Sequence, residues 1–394
     1  MSATTSEAGA VLRRGRGAEA AGKNQRNGSM NMGRGAVLLA ALAILLVQTA
    51  GCSGPKRVPY RLPNTALVPF DVAGIEDRSA EFGAMFCGVL KHIGLEGGPW
   101  GECTEYIENP GPADLDLPVL SNDYRIMVIP GFLGQCLSPG IQAFGDALAH
   151  LRDKHGMSAE YFDVPAVGSC EFNARIIASH LQEQTRTDPR KYILVGYSKG
   201  ACDLMTALVD YPEVREATAA LVTVVSPVGG SRLPEQMPEY VIHEVENLSL
   251  GHCDKGDGGG VESVRRPVRQ AFLRDHPRPV VPTYSVVAVS EEEKTTRLLK
   301  DFWRKLSVIA RDQDAQVIAS EGVPPGATFL GVLKGDHWAI GIPFELSKDS
   351  RIRKLFDHNH FPRIALLEAI VRVVVADLQK SGAPQLPAVT LPQP

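Results

Sequence analysis

The sequence between residues 122 and 380 predicts an α/β fold built on a mostly parallel, doubly wound sheet. Short apolar runs alternate there with segments of helical spacing, and the connections between them are short. The runs are continuous in their apolar character, which is typical of strands that a parallel sheet buries on both faces. Right-handed crossovers place the carboxyl ends of such strands along one edge, so we expect a ligand site at that edge.

The predicted elements follow one another in a regular order along the chain. Strands are predicted at residues 124–130, 158–165, 191–197, 218–227, 283–290 and 327–333. Helices are predicted at residues 82–94, 141–156, 172–184, 201–211, 261–273, 291–309 and 361–380. Residues 228–281 form an insert between two core strands, and this insert is polar and rich in glycine.

The chain of 394 residues divides into four parts by this pattern. Residues 1–52 form a leader, 53–121 an N-terminal extension that is partly helical, 122–380 the α/β domain with its insert, and 381–394 a Pro-rich tail. The net charge of −4 provides no basic footprint for a nucleic acid, so we expect no nucleic-acid partner.

The leader has the features of an export signal. In residues 32–52, MGRGAVLLAALAILLVQTAGC, a basic start at Arg34 precedes an apolar run and then small residues and Cys52. The run is too short to span a bilayer comfortably, so it indicates a signal peptide. The ending TAGC resembles a bacterial lipoprotein signal, in which such a cysteine becomes lipidated, although Thr49 stands where those signals usually have Leu. An ordinary secretory signal or a membrane anchor is the alternative.

This leader predicts the location of the protein. We expect an exported protein of the bacterial cell envelope, either lipid-anchored through Cys52 or periplasmic. The polar residues 1–31 make a long preface to such a signal, so we expect translation to start at Met30 or Met32.

Six cysteines follow Cys52, and an even count in an exported protein suggests disulfides. We predict one between Cys87 and Cys103, which a predicted helix and a Gly-rich loop separate. We predict another between Cys136 and Cys170, since both follow predicted strands. Buried free cysteines are the alternative.

Residues 192–204, YILVGYSKGACDL, place Ser198 between a predicted strand and a predicted helix. This strand–turn–helix setting is the one that a nucleophile elbow requires. Gly196 and Gly200 fit the setting because a sharp turn leaves no room for side chains beside the serine. Residues 122 to about 380 thus resemble an α/β-hydrolase.

The resemblance implies a serine, an acid and a histidine in that order along the chain. His337 lies in the loop beyond the predicted strand 327–333, where the family has its histidine. The remaining histidines lie on predicted helices, ahead of that position or in other loops: His92, His150, His155, His180, His243, His252, His276, His358 and His360. His358 and His360 could be read as a metal pair, but we favour a surface loop, so we expect no metal.

The acid is assigned through a second likeness. The segment DAQV resembles the Asp-Gly-x-Val turn that carries the acid in many bacterial lipases, which favours Asp314, with Ala315 in place of the glycine. Asp312 is the alternative. A further reading treats both aspartates as solvated loop residues. The run Glu291–Glu293 also follows a predicted strand but is more typical of a solvated face.

The oxyanion hole is expected to use two backbone N–H groups. Lys199 follows the serine and provides one of them. The loop PGFLGQC, 130–136, resembles the His-Gly-x loop of lipases, so Phe132 provides the other. The side chain of Lys199 either attracts an acidic substrate or lies along the helix without a role, and we favour the second.

These residues predict a serine hydrolase that cleaves a carboxylic ester through an acyl-enzyme, without a cofactor. The partner is then a small-molecule or lipid ester, and the polar insert argues against long-chain triglycerides. The alternatives are an acyltransferase with the same triad, or a non-catalytic envelope protein that uses the fold for binding.

Overall fold

The computed structural model describes residues 73–97, 100–112, 116–132, 134, 141–246 and 254–381. The predicted leader with Cys52 lies outside these residues, and so do Cys136 and all of the Pro-rich tail after Ser381. The part of the chain that the structure describes holds no helix with the length and apolar character that a membrane crossing requires.

Seven parallel strands form one sheet, with the order β1-β7-β6-β5-β4-β2-β3. The strands are β1 (Glu76–Asp77), β2 (Arg125–Ile129), β3 (Ser158–Tyr161), β4 (Tyr192–Tyr197), β5 (Thr218–Val224), β6 (Thr283–Val289) and β7 (Thr328–Lys334). The six predicted strands all occur, and the predicted parallel, doubly wound sheet is confirmed. Every residue of β2, β4 and β5 is buried, as a sheet covered on both faces requires.

Some helices flank this sheet, and others lie in the insert or in the loops that follow the strands. They are α1 (Ser79–His92), α2 (Gly145–His155), α3 (Cys170–Gln184), α4 (Lys199–Asp210), α5 (Pro212–Ala217), α6 (Glu239–Glu246), α7 (Gly260–Ser263), α8 (Arg266–Asp275), α9 (Lys300–Ser307), α10 (His337–Gly341), α11 (Ser350–Leu355) and α12 (Arg363–Lys380). Apolar residues of α1, α2 and α12 share one core cluster, and those of α3 and α4 share the other.

The strand order reverses between β4 and β2. From β2 the chain proceeds outward to β3, and from β4 it proceeds the other way through β5, β6 and β7. In open α/β sheets, the crevice at such a reversal is the usual place for a ligand. The loops that follow β2 and β4 meet at this point.

The segment ahead of residue 122 is part of the sheet structure. β1 pairs with the edge of β7 through the register Glu76 with Thr328, and α1 packs against β7 and α12. The predicted helix at 82–94 is therefore present, and it begins earlier, at Ser79.

The predicted helix at 291–309 is wrong in its first half. The structure has short 3₁₀ turns at Glu292–Lys294 and Arg297–Leu299 before α9 begins at Lys300. Thr296 has φ −45° and ψ 131°, outside the helical region, and it is fully buried; its backbone N–H donates to the Asp336 carboxylate at 2.6 Å. This tertiary bond takes a donor that a continuous helix would use for its own carbonyls.

The predicted disulfide between Cys87 and Cys103 is confirmed, with 5.4 Å between the two Cα atoms. It links α1 to the 3₁₀ turn at Cys103–Glu105. Cys170, the predicted partner of Cys136, carries a buried free thiol instead, and it packs against the thiol of Cys202.

Candidate active site

Ser198 occupies the turn between β4 and α4. Its backbone has φ 54° and ψ −129°, a conformation that residues with side chains rarely adopt and that is characteristic of strained functional turns. A Cβ at Gly196 would collide with the backbone of Ala201, and one at Gly200 with the carbonyl of Ile129. The two glycines therefore serve the steric purpose that the sequence indicated, and they let the turn pack tightly against β2.

His337 reaches Ser198 from the loop after β7. The distance from His337 Nε2 to Ser198 Oγ is 2.8 Å, and the imidazole is 2% exposed. His337 is the first residue of α10, so the orientation of this short helix sets the orientation of the ring. The hydroxyl of Tyr197 donates to the carbonyl of His337 at 2.7 Å and adds a second fixing point.

Asp336 anchors α10 from its N-cap position. Its Oδ1 accepts from the backbone N–H groups of Trp338 at 3.0 Å and Ala339 at 2.9 Å, and its Oδ2 accepts from Thr296. Burial raises the pKa of this carboxyl above its ordinary value, although those N–H donors act in the opposite direction. Asp336 was not among the residues predicted for the site, although an aspartate directly before a short helix is a recognisable cap signal.

Asp314 completes the chain of hydrogen bonds. Its Oδ2 lies 2.8 Å from His337 Nδ1, and its Oδ1 accepts from the backbone N–H groups of Gln316 at 2.9 Å and Val317 at 2.7 Å. The carboxylate is thus held by the turn that carries it. Ala315 has φ 78°, in the left-handed region that favours glycine.

The other candidate acids lie elsewhere. Asp312 is exposed, so the structure brings Asp314 and not Asp312 to His337. Glu291 and Glu293 are also exposed, and Glu292 pairs with Arg304 at 2.7 Å.

The two histidines of the HNH stretch lie in a surface loop, as predicted. His358 and His360 are exposed, and the His360 ring stacks on Trp100 with 3.9 Å between ring centroids.

The two proposed oxyanion donors lie on the loops after adjacent strands, β4 and β2. Lys199 is the first residue of α4, where a backbone N–H has no acceptor within the helix. Phe132 follows Gly131, and Gly131 touches the nucleophile turn: a Cβ there would lie 2.6 Å from Ser198 Cβ and 3.1 Å from Ser198 Oγ. Phe132 was predicted as a donor from the loop sequence, but the need for glycine at the position before it is visible only in the structure.

The side chain of Lys199 is buried inside the protein. It is 3% exposed, and its Nζ lies 2.5 Å from Asp203 Oδ1 along the same helix. Asn173 Nδ2 donates to the other oxygen of Asp203 at 2.9 Å. The ammonium is therefore neutralised inside the protein and is not available to an acidic substrate, in agreement with the reading that we favoured.

The insert is fastened to the loop that carries Asp314. Glu321 Oε1 accepts from Arg232 Nε at 2.9 Å and from Arg266 Nε at 3.0 Å. The backbone N–H of Gly229 donates to the carbonyl of Glu321 at 2.7 Å. Ser231 Oγ reaches the carbonyl of Gln316 at 3.5 Å. The described part of the insert and the 313–322 loop thus form one packed unit.

The arrangement places a hydroxyl, an imidazole and a carboxylate in a single hydrogen-bonded chain. An imidazole in this position can take the hydroxyl proton, and a carboxylate on its far nitrogen fixes the tautomer and stabilises the imidazolium. None of the three residues is more than 8% exposed, so the hydrogen bonds between them lie in a medium of low dielectric.

Among solved structures, a carboxyl esterase is similar to this chain over most of its length. The metagenomic carboxyl esterase MGS0156 is similar to this chain with a TM-score of 0.73 and 29% identity, over 80% of this chain and 97% of that one. The mature lipase BlEst2 of Bacillus licheniformis has a TM-score of 0.43 and 20% identity, over 57% of this chain and 86% of that one. No protein-family model and no curated protein matches the chain. The all-parallel sheet and the likeness to the metagenomic esterase show that this chain has the α/β-hydrolase fold.

Proposed function

We propose that this protein is a serine hydrolase that cleaves carboxylic esters through an acyl-enzyme. The observation that carries the proposal is the continuous chain of hydrogen bonds from Ser198 through His337 to Asp314, with 2.8 Å at each link. The metagenomic carboxyl esterase, 29% identical over 80% of this chain, supports the same reaction class.

The first half of the reaction forms the acyl-enzyme. His337 Nε2 takes the proton of Ser198 Oγ while the oxygen attacks the ester carbonyl carbon. The negative charge that develops on the carbonyl oxygen is held by the backbone N–H groups of Lys199 and Phe132. When the carbon–oxygen bond to the alcohol breaks, the His337 imidazolium gives its proton to the departing alkoxide.

The second half returns the free enzyme. Water enters in place of the alcohol, and His337 takes one of its protons as the water oxygen attacks the acyl carbon. The second tetrahedral intermediate collapses, Ser198 Oγ recovers a proton from the imidazolium, and the carboxylic acid leaves. Asp314 accepts the hydrogen bond of His337 Nδ1 throughout and orients the ring. An acceptor alcohol in place of water would make the same site an acyltransferase.

We propose further that the protein acts in the bacterial cell envelope, with Cys52 as the lipidated residue. The support is the sequence MGRGAVLLAALAILLVQTAGC at residues 32–52. The Cys87–Cys103 disulfide is consistent with an oxidising compartment. Mass spectrometry of the mature N-terminus tests this: a diacylglyceryl-modified Cys52 is expected, and an unmodified start at another residue would contradict the lipid anchor.

The experiment that tests the activity is labelling with a fluorophosphonate probe, which reacts with activated serines. We expect the wild type to be labelled, and we expect labelling to disappear in Ser198→Ala and His337→Ala. His360→Ala changes an exposed histidine and is the matched control, so its labelling should equal that of the wild type.

Hydrolysis of short p-nitrophenyl esters gives the second readout. We expect kcat to fall about 10⁴-fold or more in Ser198→Ala and His337→Ala. A folded wild type that neither reacts with the probe nor hydrolyses any ester would overturn the proposal and favour a binding protein. Labelling together with product transfer to an added alcohol, but without hydrolysis, would instead identify an acyltransferase.

A further inference from the structure

Three side chains converge between helices α2 and α12, away from the loops that carry Ser198, Asp314 and His337. His150 and His155 lie on α2, and Glu368 lies on α12. His150 Nε2 is 2.7 Å and His155 Nε2 is 3.2 Å from the same oxygen, Glu368 Oε2. We refer to these three residues as the His–His–Glu cluster.

The carboxylate of this cluster is buried and is held by an arginine. Glu368 is 0% exposed. Arg372 donates to Oε1 from Nε at 2.9 Å and from Nη2 at 2.7 Å, and this leaves Oε2 to the two histidines.

We propose that the His–His–Glu cluster is a binding site for a divalent transition-metal ion, with zinc as the best fit. Two imidazole nitrogens and one carboxylate oxygen are a ligand set that zinc accepts, and a water molecule can occupy the fourth position. The three ligand atoms all lie within 4.8 Å of one another. Because zinc–ligand bonds are about 2.0–2.2 Å, neighbouring ligands of a tetrahedral ion stand about 3.4 Å apart, a spacing that small side-chain rotations provide here.

The surroundings of the cluster suit such an ion. The side chains of His150 and His155 are 15% and 21% exposed, so an ion can reach them from solvent while the carboxylate behind them stays dry. Arg372 fixes the orientation of the carboxylate, a role that outer-shell partners commonly have in metal sites. The bound ion would join α2 to α12, which cover the same face of the sheet.

Binding has a defined proton balance. Without an ion, each imidazole can donate an Nε2–H to Glu368 Oε2. With zinc, both Nε2 atoms become ligands, each ring carries its proton on Nδ1, and any imidazolium proton is released to solvent. Two histidines that only hydrogen-bond to Glu368 are therefore the competing account of the same geometry, and metal titration separates the two accounts.

The test uses the full chain, treated with a chelator, dialysed and titrated with ZnCl₂ in a calorimeter. We expect each chain to bind one zinc ion at the cluster. We also expect the thermal unfolding temperature to rise when zinc is added. His150→Gln and His155→Gln keep a side-chain amide that can hydrogen-bond to Glu368. Each should weaken zinc binding by more than about 100-fold, beyond the loss that is typical of an outer-shell partner.

His180→Gln is the matched control. His180 lies on α3, its side chain is 20% exposed, and its Nε2 is 4.0 Å from a single carboxylate, that of Glu160. The zinc affinity of the His180→Gln variant should equal that of the wild type. The rise in its unfolding temperature on zinc addition should also be the same. Circular dichroism establishes that each variant is folded, and esterase activity should be retained in all three.

Cobalt(II) provides a readout that does not depend on stability. The intense visible bands of tetrahedral Co²⁺ should appear in the wild type and in His180→Gln, and they should be lost in His150→Gln and His155→Gln. The proposal is overturned if the wild type binds neither ion, or if the two cluster variants bind zinc and cobalt as the wild type does.

Discussion

Asp314 holds His337 at two points. The carboxylate Oδ2 lies 2.8 Å from the ring Nδ1, and the carbonyl oxygen of Asp314 accepts the backbone N–H of His337 at 2.8 Å. The acid therefore fixes both the ring and the peptide that carries it. A side-chain substitution at this position removes the first contact and leaves the second, so the effect of the charge can be measured in a site that stays assembled.

We therefore expect Asp314→Asn to lower kcat of ester hydrolysis by about 10⁴-fold with little change in KM, because the amide favours the wrong imidazole tautomer. The melting temperature should change little. Asp312→Asn alters an exposed carboxylate two residues away and should leave both parameters at wild-type values. Equal losses in the two variants would contradict the assignment of Asp314 as the acid.

The buried pair of Lys199 and Asp203 leads to a prediction about stability. Lys199→Met removes one charge and leaves the other uncompensated, which should lower the free energy of unfolding by about 3–5 kcal/mol. The double variant Lys199→Met/Asp203→Leu removes both charges and should recover most of that loss. Urea unfolding curves measure both values. A double variant no more stable than the single one would show that the pair itself is not responsible.

The contact between Gly131 and Ser198 predicts an effect on rate. In Gly131→Ala, the new Cβ must displace the serine or the oxyanion loop, since it would lie 2.6 Å from Ser198 Cβ. We expect kcat/KM to fall about 100-fold, as for an angstrom-scale displacement of reacting groups. Gly145→Ala, at the first position of α2, is the control and should remain active. Unchanged kinetics in Gly131→Ala would place the oxyanion loop farther from the nucleophile.

Reduction of the Cys87–Cys103 disulfide should destabilise the protein. The two cysteines are 16 residues apart in sequence. Opening a loop of that size lowers the free energy of unfolding by about 3 kcal/mol. A melting temperature that falls in dithiothreitol is the expected result, and Cys87→Ser/Cys103→Ser should melt at the lower temperature with or without the reductant. A double variant that still responds to the reductant would point to another disulfide.

The assignment of Asp314 shows how much of the candidate site could be predicted from the sequence alone. The Asp-Gly-x-Val likeness selected Asp314 although Ala315 departs from it, and the left-handed backbone of Ala315 explains why glycine suits that position. His337 followed from chain order and from the strand before it. Both assignments rest on local patterns, which a sequence displays directly.

Other features depend on contacts between distant segments, and no local pattern displays those. The two-residue strand β1 exists only because β7 offers a free edge more than 200 residues later. The helix expected at 291–309 is interrupted because Thr296 bonds to Asp336. The His–His–Glu cluster joins two histidines spaced five residues apart, outside the usual i, i+4 ligand spacing on a helix, to a glutamate on α12.

The attachment of the insert to the 313–322 loop limits how far the insert can move without disturbing Asp314. If the insert swung aside at an oil–water boundary, the Arg232 and Arg266 pairs with Glu321 would break, and the turn that holds Asp314 would be pulled with them. Opening of the insert at a lipid surface would thus displace Asp314, the acid that the proposed reaction needs. We expect the rate to rise smoothly with ester concentration through the solubility limit, without the jump that marks a lipase, and a jump there would show that the insert moves independently. A smooth rise would favour esters that reach the site as dissolved single molecules.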